Sequence, residues 1–593
     1  MIIFKIPFLI FLLGALILPL LPKKMRAGFF IIPPLVSLLA VFNLNVGDRI
    51  AIDFLQFELV FLNVTSLNWI FGIIFSLISV IAGIYALHMD DLKQQMAAGF
   101  YAAGALCVTF AGDYLTLYLG WELMAVASTF LIWARGTQES VATGMRYFLF
   151  HIFGGVLLLA GILLHVADAG SLEIVSFASN ESLAAWLILL GVAVNVAIPP
   201  LHAWLSESYP MATVTGAIFM SALTTKSAVY VLASMFAGWQ ILIFMGVLMA
   251  LYGVVYAVLA NDIRGILAYH IISQVGYMVA GVGIGTEMAI NGTTAHAFSH
   301  ILYKALLFMG AGVVLYTTGK SKLTELGGIY SKQKLVFWLY MIGAFSISGF
   351  PFFNGFISKS MVVASAGYAG MDVAALLLIL ASIGTFLHTG LKLPYWTWFG
   401  KADSDITPIK TPTNMIWAMG AAAFFCTFFG LYPWLLYDKL PFPEVVYNPF
   451  QIYHFIEMTQ LLVFTFIAFW VFRQKLAGEP YLAIDFEFFY RLAGKIVLKL
   501  AYMPIAAFDG WFSELYARFG EAVRRFAGYF VADKLETSFD RNIHQRLPKG
   551  ITQGGNALLS MIRIDSREIS SGMVYILLLT IVIVFVTFLK VMT

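Results

Sequence analysis

The chain has 593 residues, 61% hydrophobic, 16% aromatic and only 11% charged, with a net charge of +3. Soluble domains carry about 25% charged residues, so this chain has too little polar surface for a water-facing shell and too little charge to suggest nucleic acid. Its two cysteines, Cys107 and Cys426, stand alone in apolar runs, which excludes CxxC, zinc and iron–sulfur frameworks. Without a Walker loop or a dinucleotide fingerprint, the expectation is that no nucleotide or redox cofactor is bound.

A spanning helix needs about 20 mostly apolar residues. With that ruler about sixteen transmembrane helices are predicted, roughly at 3–22, 28–45, 65–88, 94–112, 113–133, 143–167, 182–208, 213–235, 240–260, 264–285, 291–317, 335–369, 372–399, 412–434, 454–473 and 572–592. The first is read as retained, because its basic cluster Lys23, Lys24, Arg26 follows the apolar run and does not precede it as in a signal peptide. Placing the N-terminus outside puts Lys23, Lys24, Arg26, Lys93, Arg135, Arg146, Arg264, Lys320, Lys322, Lys332, Lys334, Lys401, Lys410, Arg473 and Lys475 in cytoplasmic loops, against only Arg49 and Lys439 opposite. This is a strong positive-inside bias.

Two predicted spans are interrupted. The seventh contains Ile198-Pro199-Pro200-Leu201-His202, and the twelfth Ser348-Gly349-Phe350-Pro351-Phe352-Phe353-Asn354-Gly355. In lipid, backbone groups freed by a break must be buried in protein or face water. The breaks lie five helices apart, an odd number, so helices 4–8 and 9–13 form two five-helix repeats of inverted topology, with a discontinuous helix in each. Such pairs point to a transport site. Two ordinary proline kinks are the simpler alternative. The expected segments are N-terminal helices 1–93, a first repeat within 94–260, a second within 261–400, accessory helices 401–480, a lateral segment 481–571 and a final span 572–593. In the lateral segment Phe508, Phe512, Leu515, Phe519, Val523, Phe526 and Phe530 recur every three or four residues among many charges. That pattern reads as an amphipathic helix lying along the membrane or along neighbouring subunits; a small cytoplasmic domain is the alternative.

Placing a charge at the bilayer centre costs at least about 2.5 kcal/mol, and charges that stay there commonly serve transport. Glu122 in helix 5 and Lys226 in helix 8 are such positions. His296, His300 and Lys304 follow at spacings of four on helix 11 and share one face; a histidine needs little perturbation to exchange a proton near neutral pH. Lys359 follows the second break. His388 and Lys392 on helix 13 are four apart, with snorkelling of Lys392 to the surface an open alternative, and His151 on helix 6 is open between path and packing. In chain order these groups form a line along which protons pass by Coulomb coupling. No nucleophile and base are paired with a supporting third group, so the chain is not expected to perform covalent chemistry.

The segments Trp121-Glu122-Leu123-Met124, Pro200-Leu201-His202-Ala203-Trp204-Leu205, Thr225-Lys226, Asp262-Ile263-Arg264-Gly265-Ile266-Leu267-Ala268-Tyr269, Ser273-Gln274-Val275-Gly276-Tyr277, His296 to Phe308 and Gly349 to Lys359 resemble the antiporter-like membrane subunits. That family includes the proton-pumping subunits of complex I and membrane-bound hydrogenases, and the A-type and D-type subunits of Mrp-type sodium/proton antiporters. The resemblance covers about residues 65 to 400. It implies an all-α integral membrane fold with two inverted five-helix repeats, partner subunits in a hetero-oligomeric complex, and a prokaryotic-type inner membrane. It also implies protons as the transported species, with sodium or potassium as the exchanged cation. By resemblance Glu122, Lys226, His300, Lys304 and Lys359 correspond to the family's relay, and the lateral helix and final span resemble those of its terminal, largest subunits. One departure stands out: Asn195 occupies the position of the family's helix 7 lysine, leaving Glu122 without its usual partner and Lys226 as the candidate substitute. Ser206-Glu207 also replaces the usual Pro-Asp. Four readings follow: a subunit of a cation/proton antiporter, a subunit of a redox-driven pump, a coupling or structural subunit that no longer pumps, and a lone carrier of an organic substrate.

Overall fold

The computed structural model describes residues 5–55, 57–177, 181–401, 406–477 and 485–530. Three helices come first: α1 (Pro7–Ile17), α2 (Lys23–Phe29) and α3 (Ile32–Phe42). They are followed by an antiparallel hairpin, β1 (Arg49–Phe54) and β2 (Phe57–Asn63), paired from Arg49↔Asn63 to Phe54↔Phe57 with an irregularity at Ile50/Ala51. The hairpin corrects the purely helical expectation. The alternation of Ile50 and Ile52 with Ala51 and Asp53 has the period of a strand, and Arg49 donates to Glu58 across the ladder at 2.6 Å.

The long helices then begin: α4 (Ser66–Tyr85), α5 (Leu92–Phe110), α6 (Tyr114–Trp133) and α7 (Gln138–Ala169). Each starts at a side-chain cap. Thr65, Asp91, Asp113 and Thr137 accept hydrogen bonds from amides of the first turn, satisfying donors the helix itself leaves unpaired. Next come α8 (Leu183–Val196), α9 (Ala203–Met211), α10 (Gly216–Ala222), α11 (Thr224–Met235), α12 (Gln240–Leu259), α13 (Ile263–Ile284) and α14 (Glu287–Thr318). After them run α15 (Lys334–Ser348), α16 (Asn354–Tyr368) and α17 (Asp372–Thr385), which continues into a π-helical segment, Phe386–Lys392. α18 (Thr413–Leu431), the short α19 (Trp434–Tyr437) and α20 (Ile452–Phe472) complete this unit.

Eleven helices among the described residues are long and apolar enough to cross a membrane, and three shorter apolar helices accompany them. Burial ranks them. The apolar stretch of Gly216–Met235 is 100% buried and those of α13 and α14 are 94% buried, against 22% for α20 and 28% for Lys23–Phe42. Those three most enclosed stretches carry five of the ten buried lysines and histidines among the described residues. Small residues allow their close approach: a Cβ at Gly246 of α12 would lie 2.3 Å from the Ala280 backbone nitrogen of α13, the device by which helices pack where no water drives them together.

From Asp485 the chain forms a second compact unit. Its described part is one 45-residue helix, α21 (Phe486–Phe530). Phe508, Phe512, Leu515 and Phe519 are exposed on it, and Glu514 pairs with Arg518 one turn on at 2.7 Å. The predicted final span, 572–592, and the lateral segment beyond 530 lie outside the described residues.

Candidate functional site

α14 carries the densest set of buried polar groups. His296, His300 and Lys304 are each 0% exposed. Their spacing of four stacks them along one face, with the His296 and His300 rings 6.3 Å apart and the His300 ring 5.2 Å from that of Tyr303. His296 Nδ1 lies 3.1 Å from Ser358 Oγ on α16. Among the described residues, neither His300 nitrogen nor Lys304 Nζ has a hydrogen-bond partner. A hydrogen-bonded bridge leaves this face: Tyr303 Oη donates to Gln274 Oε1 (3.4 Å), and Gln274 Nε2 donates to Thr385 Oγ1 (3.3 Å).

Three lysines are held in a common way. α15 stops at Ser348, with Gly349 at φ +72° and Phe352 at φ +71° before α16 begins. The break leaves the Ile347 carbonyl to Lys359 Nζ, which donates to it at 2.8 Å and to Ser382 Oγ at 3.3 Å. The ammonium also sits 5.2 Å from the centre of the Tyr277 ring. α10 stops at Ala222, and Lys226 Nζ donates to the Ser221 carbonyl at 2.5 Å and to Thr225 Oγ1 at 3.0 Å. Lys392 Nζ donates to Val258 O at 2.6 Å, in the last turn of α12. Each ammonium is thus placed at a helix C-terminus, where the backbone carries partial negative charge. Lys392 is 2% exposed. Neither Lys226 nor Lys359 has a carboxylate in salt-bridge range among the described residues.

The first break is built differently. α8 stops at Val196, Ala197 takes φ +66°, and α9 begins at Ala203. Here Trp204 Nε1 donates at 2.8 Å to the Val194 carbonyl, which also accepts from the Ala197 amide at 3.1 Å. Asn195 is 1% exposed, and among the described residues neither of its amide atoms has a hydrogen-bond partner. Glu122 on α6 is half-buried. Its Oε1 presses on Gly155, where a Cβ would lie only 1.9 Å away, and its carboxylate accepts from the Tyr118 hydroxyl. The expected substitution of Lys226 as partner to Glu122 finds no contact to support it. Lys226 bonds Ser221 and Thr225, and the groups it acts on electrostatically, His296, His300 and Lys304, are all on α14. His151 stacks on Tyr147 at 4.0 Å, places Nδ1 2.9 Å from the Tyr147 carbonyl and meets Trp204 edge-on at 4.5 Å. It belongs to the aromatic packing behind the first break.

Three features were missed in the sequence. His270 on α13 is 0% exposed and lies 5.6 Å from the His388 ring, and among the described residues the ring nitrogens of both lack hydrogen-bond partners. An ionisable residue inside the apolar run of α13 was the available signal. The break at Leu223, just before Lys226, contains neither proline nor glycine. The π segment that carries His388 and Lys392 widens the turn of the thirteenth predicted span.

Residues 111–387 match the NADH:quinone oxidoreductase/Mrp antiporter transmembrane family. The match includes Glu122, Asn195, Lys226, the α14 row and Lys359. An uncharacterised protein of Methanocaldococcus jannaschii is 30% identical over 374 residues, covering 58% of this chain and 76% of that protein. The D-type Na(+)/H(+) antiporter subunit of Alkalihalophilus pseudofirmus is 32% identical over 286 residues; 45% of this chain matches, over 58% of the relative's length. Among solved structures, a chain of the membrane-bound sulfane sulfur reductase, an archaeal respiratory membrane complex, shares the fold with a TM-score of 0.68 at 23% identity, covering 94% of this chain and 99% of that one.

Proposed function

This chain belongs to the NADH:quinone oxidoreductase/Mrp antiporter membrane family, and on that premise we propose that it is the proton-conducting subunit of a multi-subunit membrane complex, coupled to sodium/proton antiport. The observation that carries this reading is the run of Lys226, His296, His300, Lys304 and Lys359, at most 3% exposed and spread over three packed helices. Two of its three lysines lean on helix ends. A helix end stabilises an ammonium less than a paired carboxylate would, which leaves each site able to lose its proton when a neighbour gains one. At an effective dielectric of about 20, two unit charges 4 Å apart repel by about 4 kcal/mol, enough to move protonation from site to site. Tyr303, Gln274 and Thr385 offer hydroxyl and amide steps between them. His270 and His388 extend the run toward Lys392, and Glu122 is its proposed inlet in the first half of the chain.

The same reading takes in the finer topology: sixteen spans, an outside N-terminus in a prokaryotic inner membrane, inverted repeats within 94–260 and 261–400, and α21 as a lateral helix against partner subunits. The likeness to a respiratory complex keeps a redox-driven pump as the alternative source of energy. In vesicles holding the whole complex, Glu122→Ala and Lys359→Ala should each abolish proton-coupled transport while the subunits still co-purify. Retained transport in both variants sinks the reading.

A second reading, a subunit that couples or clamps without pumping, is favoured by the neutral first break, with Asn195 and Trp204 where a charge is expected. Asn195→Lys decides it: a gain of transport over the wild type supports the second reading, and equal transport removes it.

A further inference from the structure

The second break also opens sideways. Gly349 faces α20 closely, and a Cβ there would lie 3.1 Å from Met458 Cε. Between α16, α17 and α20 is a cavity of about 30 Å³, room for about two waters at roughly 10–15 Å³ each. Lys359 and Ser360 line it from α16, Ser382 from α17, and His454 and Glu457 from α20. Glu457 is the only charged residue on α20, and a lone carboxylate on a spanning helix calls for a functional partner. Its side chain is 43% exposed, whereas Lys359 is 3% exposed, so the cavity lies between a buried ammonium and a half-exposed carboxylate. His454 Nδ1 lies 3.4 Å from Glu457 Oε2. The His454 ring stacks on Phe356 at 4.7 Å, and its Nε2 has no partner. Other titratable groups face this site from their own elements: Tyr277 from α13, His296 from α14 through Ser358, Tyr368 from the end of α16, Tyr453 beside His454 on α20, and Tyr447, which bonds Ser360, from the loop before α20.

We propose that Glu457, assisted by His454, is the outlet through which Lys359 exchanges protons with the membrane face where α20 begins. The proposal rests on Lys359 carrying protons, as argued above. In the outward step an N–H bond of the Lys359 ammonium breaks and its electron pair stays on Nζ. The proton crosses the cavity through water, forms an O–H bond on the Glu457 carboxylate, and leaves from there to bulk water; uptake is the reverse. Lys359 and Glu457 are outside direct salt-bridge range, so the charges do not lock together.

The test is proton transport by the full complex in vesicles. Glu457→Gln should lower the rate about tenfold or more. Glu457→Asp should keep most of it, and Glu457→Ala should regain activity when formate is added on the side of the loop before α20, because a small carboxylate replaces the missing one. Leu461→Phe, which fills the cavity and leaves the titrating groups in place, should also slow transport. Unchanged transport in Glu457→Gln, with Lys359→Ala inactive, overturns the outlet and leaves the conduction reading standing. Unchanged transport in both variants overturns the conduction reading itself. A loss in Glu457→Ala that formate does not restore marks a packing role and also overturns the outlet.

Discussion

The break that ends α8 and the break that ends α15 use the same backbone device. A residue with positive φ, Ala197 or Gly349, stops the helix, and a carbonyl in its last turn accepts from a side chain of the helix that follows. At the first break the donor is Trp204 Nε1, 2.8 Å from Val194 O; at the second it is Lys359 Nζ, 2.8 Å from Ile347 O. The indole holds its hydrogen at any physiological pH. The ammonium releases its proton when its surroundings favour the neutral amine. One break is therefore capped by a donor of fixed charge and the other by a donor whose charge changes with protonation. A broken helix supplies an acceptor in the membrane, and the donor that meets it decides whether chemistry follows.

The largest effect that can break this comparison is at Lys359. Lys359→Met keeps the length of the side chain and removes the exchangeable proton, so transport in vesicles should fall a hundredfold or more, which corresponds to about 2.7 kcal/mol of barrier. A rate within threefold of the wild type would make the two breaks equivalent. Next is His270→Gln, which removes a titrating ring beside His388 and should cost roughly tenfold, since a well-placed acid–base group contributes about a hundredfold or more when no bypass exists. The α14 row offers such a bypass. An unchanged rate would remove His270 from the path. Trp204→Phe is the counterpart at the first break. It should cost about 1 kcal/mol of stability, because the Val194 carbonyl loses one of its two donors and keeps the Ala197 amide, and lower the thermal midpoint only slightly. The rate per folded complex should stay within about threefold; a collapse like that of Lys359→Met would show the first break to be conducting as well.

What could be read in the sequence follows from how each feature is encoded. Pro199-Pro200 and Gly349 to Gly355 announce their breaks, because proline and glycine are the residues that interrupt the ladder. The His296, His300, Lys304 row shows itself through charge in an apolar run and a spacing of four. Leu223 gives no such sign: its break is made by tertiary contacts, with Lys226 taking the Ser221 carbonyl that the next turn gives up. The π segment at 386–392 was hidden because seven residues are too few to separate its period from that of an α-helix. The Arg49–Asn63 hairpin fell between two predicted spans, where hydropathy is uninformative. For His151 the residue was legible and its role was not, since only packing shows it stacked on Tyr147 against Trp204.

The smallest expected effect gives the sharpest test of the first break. Asn195 is fully enclosed, and both atoms of its amide lack a protein partner. Burial of an unpaired amide costs about 1–3 kcal/mol by mutational measures, so Asn195→Leu, similar in size and apolar, should leave stability unchanged or raise it by about 1 kcal/mol. If the first break is only a cap, transport should remain within about twofold of the wild type, because no titrating group is lost. If the amide instead holds water that carries protons past Trp204, leucine displaces that water and the rate falls tenfold while stability holds. Measured together, the thermal midpoint and the transport rate separate these outcomes: a stable, active Asn195→Leu takes the first break out of the proton path, and a stable, slow one shows that a break with no charge still carries protons.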